Sequence, residues 1–351
     1  MKIAIITDQH FGCRKNSKLF HDYFLKFYKN VFFPTLEKEG ITTVINMGDT
    51  FDSRKGIDFA ALTWAKDNYF DRLKQMGVTV HTIVGNHDVY YKNTNDINAI
   101  DLLLREYDNI PIYEETTSIE VGGCNILLVP WINKENEEKS IALIKKSRAS
   151  VCMGHLELNG FRATPGHMME HGMEWDIFKK FKKTFSGHYH CRSNQDNIYY
   201  LGNPYEMFWN DVDDENRGFH IFDTETLEHT PVNNPYRLHK VIYYNDQDYQ
   251  LFDARELENK IVKIVVRKKS NQVKFEKFID KLYNANVSEL KVVENFILHD
   301  VENFEAFESE DTLSILNRYV EEAQTDLDKS KIQKMLQENY QEACELVYCL
   351  Y

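Results

Sequence analysis

Five short segments of this 351-residue chain carry side chains able to bind metal ions. They are Asp8-Gln9-His10, Gly48-Asp49-Thr50-Phe51-Asp52, Gly85-Asn86-His87-Asp88, Gly154-His155 and Gly187-His188-Tyr189-His190. The donors are carboxylate, imidazole and amide oxygen with no thiolate, a set that suits hard or borderline divalent ions. Two such ions about 3.5–4 Å apart activate a water and stabilise an in-line phosphoryl displacement. Holding two cations so close requires a bridging carboxylate, for which Asp49 is the best candidate. Singly the segments say little: D-x-H at a strand end is usually a turn or a helix cap, and G-D-x-x-D is often a turn. G-N-H-D is sharper, because Asn-His-Asp after Gly has little packing use. Their joint occurrence, each after an apolar run, points to one shared site.

The elements that must position them are legible as an alternation of strands and helices. Lys2 to Thr7, Thr42 to Met47 and Val78 to Val84 read as strands, and Ser17 to Lys38 and Phe59 to Met76 as amphipathic helices. This β-α-β-α-β rhythm predicts right-handed crossovers and a largely parallel sheet. Later strands are expected at Ile126 to Pro130, Ser150 to Met153, Thr184 to Ser186, Tyr199 to Leu201 and Gly218 to Phe222. In open α/β sheets ligands bind beyond the carboxyl ends of strands, so all five segments are expected on one rim. The Pro/Asn cluster from Thr230 to Pro235 reads as a linker. Beyond it, strands at Lys260 to Val266 and Glu289 to Glu294 with a helix at Lys274 to Asn284 predict a small α/β unit. The region from about Asn303 to Tyr351 is acidic with a helical apolar stripe through Leu313, Leu316, Tyr319, Val320, Ile332, Leu336, Tyr340 and Leu346.

In order and type, the five segments resemble the motifs D-x-H, G-D-x-x-D, G-N-H-[DE], H and G-H-x-H of the calcineurin-like metallophosphoesterases. More narrowly, the chain resembles the SbcD-type repair nucleases and, among these, the recombination nuclease subunits of T-even-like bacteriophages. That match rests on His81 to Asp88, Gly154 to Phe161 and Tyr200-Leu201-Gly202-Asn203-Pro204, and it is strong over residues 1–225. The resemblance implies a four-layer α-β-β-α sandwich of α/β (α+β) class over residues 1–229. It also implies a small α/β capping domain for DNA binding at 236–300 and a helical tail for partner binding at 301–351. Asp8, His10, Asp49 and His190 would hold one metal, and Asp49, Asn86, His155 and His188 the other. His87 would face the scissile phosphate without binding metal, stabilising charge or protonating the leaving oxygen, and Asp52 would orient it. Archaeal repair nucleases have histidine at the position of Asp52, and Asn203 stands where the family often has serine. The implied cofactor is two Mn²⁺, with Mg²⁺ also compatible. The implied partners are DNA and an SbcC-type coiled-coil ATPase subunit, with a nuclease homodimer inside a heterotetramer. The implied activities are duplex exonuclease and single-strand endonuclease.

Composition bounds this reading. The net charge of −13 runs against a nucleic-acid binder, since phosphate contacts dominate such affinity. Bound divalent ions reverse the sign locally, and a partner subunit can supply basic surface. Lys179-Lys180-Phe181-Lys182-Lys183 and Arg267-Lys268-Lys269 are the densest basic runs, candidates for DNA phosphates or ordinary solvated surface. The six cysteines form no C-x-x-C pair, so reduced thiols and a cytoplasmic location (the host cytoplasm for a phage protein) are expected. No apolar run is long enough to span a bilayer. Two other functions fit parts of the chain. One is a phosphomonoesterase or phosphodiesterase acting on small or protein substrates. The other is a non-catalytic scaffold for an ATPase, against which the complete donor set argues.

Overall fold

Alternate residues of a strand face opposite ways, and the first strand, Lys2–Ile6, is apolar on both faces. Ala4 and Ile6 point into a helix-packed core, whereas Ile3 and Ile5 point into a second core shared with another sheet. A strand buried on both sides belongs in the interior of a layered fold. The computed structural model describes residues 1–164, 167–294, 320, 329, 331–333 and 336.

The strand Lys2–Ile6 lies inside a six-stranded sheet ordered His229–Asn233, Gly218–Asp223, Lys2–Ile6, Thr43–Asn46, Thr79–Ile83, Ile112–Tyr113. Its last four strands are parallel and the first two antiparallel. A second six-stranded sheet runs Ser193–Gln195, Ile198–Tyr200, Lys183–Gly187, Val151–His155, Cys124–Val129, Thr117–Val121. Ile45, Met47 and Ile83 of the first sheet meet Ile126, Leu128, Val151, Met153 and Phe185 of the second, forming the core between the sheets. Helices cover the outer faces. Phe24, Phe27, Phe32, Tyr69 and Phe70 pack on the first sheet and Ile144 on the second. These are the four layers expected from the resemblance.

The two covering helices of the first sheet are interrupted. Lys18–Phe27 passes through a π turn, Tyr28–Phe32, into Phe33–Glu39, and Phe59–Ala65 passes through Lys66–Phe70 into Asp71–Gln75. Both π turns carry buried aromatics, Tyr28 with Phe32 and Tyr69 with Phe70, so the extra residue per turn brings large rings into the core. The hydroxyl of Tyr28 donates to the Gln9 side chain at 2.6 Å, tying this core to the first metal-binding segment.

One expectation fails here, and one open alternative is narrowed. Thr230 to Pro235 is not simply a linker: His229–Asn233 is the edge strand of the first sheet, with Pro231 opposite His220. An edge strand has one side with no partner, so a residue lacking N–H is tolerated there. The run Lys179 to Lys183 stands at the start of the strand Lys183–Gly187, whose far end carries the histidines. Five residues of strand separate them by about 13 Å or more. Lys180 caps the carbonyls of Ile144 and Lys145, and Lys179 pairs with Asp176. This run therefore holds structure together on the side away from the rim.

The chain divides into two units, Met1–Val293 and Glu294–Tyr351. In the first, apart from the last residue of the third strand, His239–Asn245, Ile261–Lys268 and Glu289–Glu294 form a three-stranded sheet, and the helix Gln272–Tyr283 covers it. The strand His239–Asn245 is an addition to the elements expected from sequence. Ile242, Tyr244, Val262, Ile264, Phe275, Phe278 and Leu282 make its separate core. The expected tail, 301–351, lies outside the described residues except for 320, 329, 331–333 and 336, all helical. No helix among the described residues is long and apolar enough to cross a membrane.

Candidate metal centre

Each donor sits at the end of a strand or on the sharp turn that follows one. Asp8 and His10 follow Lys2–Ile6, Asp49 follows Thr43–Asn46, Asn86 and His87 follow Thr79–Ile83, His155 ends Val151–His155, and His188 and His190 follow Lys183–Gly187. Asp8, His10, Asp49 and His188 have φ of 53°, 46°, 50° and 83°. Left-handed backbone is disfavoured for such residues, and its concentration here reflects chains turned abruptly to aim side chains at one point. Glycine permits the close approach. A Cβ on Gly48, whose φ is +92°, would lie 2.8 Å from the backbone of Gly85 and from Nδ1 of His155, and one on Gly187 would lie 2.0 Å from Oγ1 of Thr7.

The seven expected ligands converge. Donor atoms of Asp8, His10 and His190 lie within 4.8 Å of one another, as do those of Asp49, His155 and His188. Nε2 of His10 is 3.2 Å from Nε2 of His190 and 3.7 Å from the Asp49 carboxylate. On the other side, Oδ1 of Asn86 lies 2.8 Å from Nε2 of His155 and 2.9 Å from Nδ1 of His188. Oδ2 of Asp49 is 3.3 Å from Nε2 of His155. Asp49 thus stands between the two groups. Nδ1 of His155 points at the carbonyl of Met47, 2.8 Å away. Donation there fixes the tautomer and leaves the Nε2 lone pair aimed into the site.

The donor set fits a pair of divalent ions. Asp8 and Asp49 are fully buried with His10 and His155, and buried like charges need compensation. Burial lowers the affinity of His10 for a proton, yet Asp52, Asp49 and Asp8 outweigh it and hold the ring up at about 9. His155 is likewise disfavoured by burial and held up at about 9 by Asp49 and Asp8. Burial raises Asp8, whereas Asp49 is held low against its burial by His155 and His87. Burial and the neighbouring His155 push His188 down to about 3. Protons on His10 and His155 thus supply positive charge where cations would replace them.

His87 is half-buried beside the groups, its ring edge-on to His10 with centroids 4.8 Å apart. Its backbone N–H donates to Oδ1 of Asp49 at 2.8 Å. Nδ1 lies 2.7 Å from the backbone carbonyl of Asp52, to which it donates, leaving Nε2 as the working atom. This differs from the expected pairing: the Asp52 side chain faces His10, with 3.2 Å from Oδ1 to Nδ1, and only its carbonyl orients His87. The short turn from Asp49 to Asp52 sends the carboxylate and the carbonyl in different directions.

Four residues of the site were not singled out from the sequence. Asp88 is buried and accepts from Thr50 N, Phe51 N and Gly85 N at 3.0, 3.1 and 2.9 Å, stitching the second and third segments together. Its position inside G-N-H-D was a visible signal. Phe208 stacks on His190 at 6.1 Å and 22°, and Arg217 holds the carbonyl of His190 while pairing with Asp211. Nothing in the sequence places Phe208 near residue 190. Trp131 lies 5.1 Å from His188, and its position directly after the apolar run ending in Val129-Pro130 was a signal of rim placement.

Comparison with known proteins agrees with this geometry. Residues 1–267 match the calcineurin-like phosphoesterases. Exonuclease subunit 1 of Enterobacteria phage T4 is 34% identical over 348 residues, covering 98% of this chain and all of that protein. With two layered sheets, a shared rim and five metal-binding turns in the expected order, the chain belongs to the calcineurin-like phosphoesterase family.

Proposed function

We propose that this phosphoesterase is the nuclease subunit of a DNA end-processing complex, a metal-dependent phosphodiester hydrolase with exonuclease action on duplexes and endonuclease action on single strands. The observation that carries the reading is the convergence of seven donors around Asp49 with His87 beside them. Support for DNA comes from the relative named an exonuclease subunit, matched over nearly the whole chain.

In this reading Asp8, His10, Asp49 and His190 hold one divalent ion and Asp49, Asn86, His155 and His188 the second. Such a pair supplies an activated water and charge neutralisation at the scissile phosphate. Mn²⁺ suits the mixed His/Asp/Asn donors, and Mg²⁺ is the second candidate. The protein's own contribution is positional. Met47 fixes the tautomer of His155. The Asp49 carboxylate fixes the backbone of His87, and the Asp52 carbonyl turns its Nε2 outward. Once Nε2 has taken up a proton, the ring donates to a phosphate oxygen or delivers that proton to the leaving oxygen. Residues 236–300 serve as a DNA-capping domain, and 301–351 bind an SbcC-type coiled-coil ATPase. The complex is a heterotetramer containing two copies of this chain, acting in the cytoplasm in DNA recombination, repair and replication.

The test is hydrolysis by the purified full chain, with Mn²⁺ or Mg²⁺, of end-labelled duplex DNA, single-stranded DNA and p-nitrophenyl phosphate, with and without the ATPase subunit. DNA cleavage that vanishes in His87→Ala supports the reading. Turnover of p-nitrophenyl phosphate with intact DNA overturns it in favour of a phosphomonoesterase.

A further inference from the structure

A cavity of about 400 Å³ opens beside the second donor group, and His155 is part of its wall. Trp131, Lys92, Lys134, Glu157 and Met173 also line it. Trp131 is the organising feature. Its ring centroid is 5.1 Å from that of His188 and 6.2 Å from that of His155. Its backbone is fixed three ways: the N–H donates to Val84 O at 2.8 Å, and the carbonyl accepts from the side-chain amides of Asn95 and Asn136, both at 3.0 Å. On a backbone so held, the half-buried indole packs near the histidines of the second donor group and helps to line the cavity. Lys92 and Lys134 are exposed, cationic groups within reach of a backbone phosphate at the rim of the cavity.

The size of the space decides what it takes. The cavity holds about 400 Å³. That volume has room for one nucleoside and lies within the ordinary range of small-molecule cavities. We infer that the cavity receives a single unstacked nucleobase next to the scissile phosphate, laid against Trp131. This rests on the DNA reading above and extends it: strands whose terminal or looped bases can leave the stack are the substrates the site is built for. Stacking on an aromatic face is tolerant of base identity, so position matters here and sequence does not.

The test uses the full-length protein with Mn²⁺ and a labelled single-stranded oligonucleotide in which one abasic nucleotide is moved, position by position, past the cut. With the wild-type protein, one position flanking the cut is expected to raise KM about ten-fold, within the range found for base–aromatic stacking, and the others to leave it unchanged. In Trp131→Leu, intact and abasic strands should become equivalent, while Trp131→Phe should keep most of the difference. Thermal melts and bound Mn²⁺ confirm that the variants are folded and loaded, and the wild-type scan stands alone where a variant fails to fold. DNA cleavage with no sensitive flanking position, or undiminished sensitivity in Trp131→Leu, overturns the inference and leaves the nuclease reading intact. A wild-type protein that cuts no DNA removes both.

Discussion

The metal rim and the small three-stranded sheet are built on opposite principles. The rim buries Asp8, His10, Asp49, Asp88 and His155, and several of its residues have left-handed backbone. The small sheet fills its core with Ile242, Tyr244, Val262, Ile264, Phe275, Phe278 and Leu282, and its helix begins with an ordinary cap, Asn271 accepting from Lys274 N. One region is strained and charged, and is completed by cations. The other is stabilised by removing apolar surface from water. The rim therefore gathers buried charge that needs compensation, while the sheet rests on packing.

The sharpest way to break this comparison is to alter chemistry without altering binding. His87→Ala should slow DNA cleavage by about 10²–10⁴-fold, the usual contribution of a positioned acid or base. It should leave two Mn²⁺ bound, as titration by electron paramagnetic resonance would show; loss of one ion would make His87 a ligand instead. Next is Phe278→Ala in the small sheet, fully buried against Tyr244 and Phe252. It should destabilise by about 3–5 kcal/mol, as large-to-small core changes do. In denaturant titrations that loss should be the same with and without Mn²⁺; a metal-dependent loss would couple the two regions.

Each bound Mn²⁺ should stabilise the wild-type protein by about 2.7 kcal/mol at a hundredfold excess over its Kd, and Asp49→Asn should reduce that gain, measured by melting with and without chelator. An equal gain in the variant would remove Asp49 from the bridging role.

The smallest effect concerns the join between the regions. Glu206 is fully buried, pairs with Arg237, and accepts from Leu238 N and His239 N at 2.8 and 2.7 Å. Burial raises its pKa, but the His239 and Arg237 interactions prevail and hold it below the ordinary carboxylate value. A folded-state value below the unfolded one adds stability above the ordinary carboxylate range, lost as pH falls through it. Glu206→Gln should lower stability at neutral pH by about 1.5–3 kcal/mol and flatten the acid limb of the stability curve. An unchanged acid limb would show that Glu206 carries no pH-linked stability.

Much of the site was legible because its signals are local. A short polar segment after an apolar strand records both the turn and the chemistry, and this marked the seven residues that converge, His87 beside them and the common rim. The first three strands and the aromatic helices were found by periodicity to within a few residues. What escaped was set by neighbours distant in sequence. Thr230 to Pro235 looks like a linker until the strand Gly218–Asp223 offers it an edge. Lys179 to Lys183 reads equally as a DNA contact or as solvated surface until strand direction puts it at the end away from the histidines.

By itself the sequence determined which atoms can bind the ions and which elements carry them, because side-chain chemistry and strand-turn patterns are properties of a few consecutive residues. Only the tertiary structure decided that Asp52 addresses His87 through its carbonyl and His10 through its carboxylate, that Phe208 braces His190, and that Trp131 walls a cavity beside His155. These depend on where separate strands end relative to one another. Sheet register and the packing of two sheets fix that, to a precision of ångströms that no local pattern encodes.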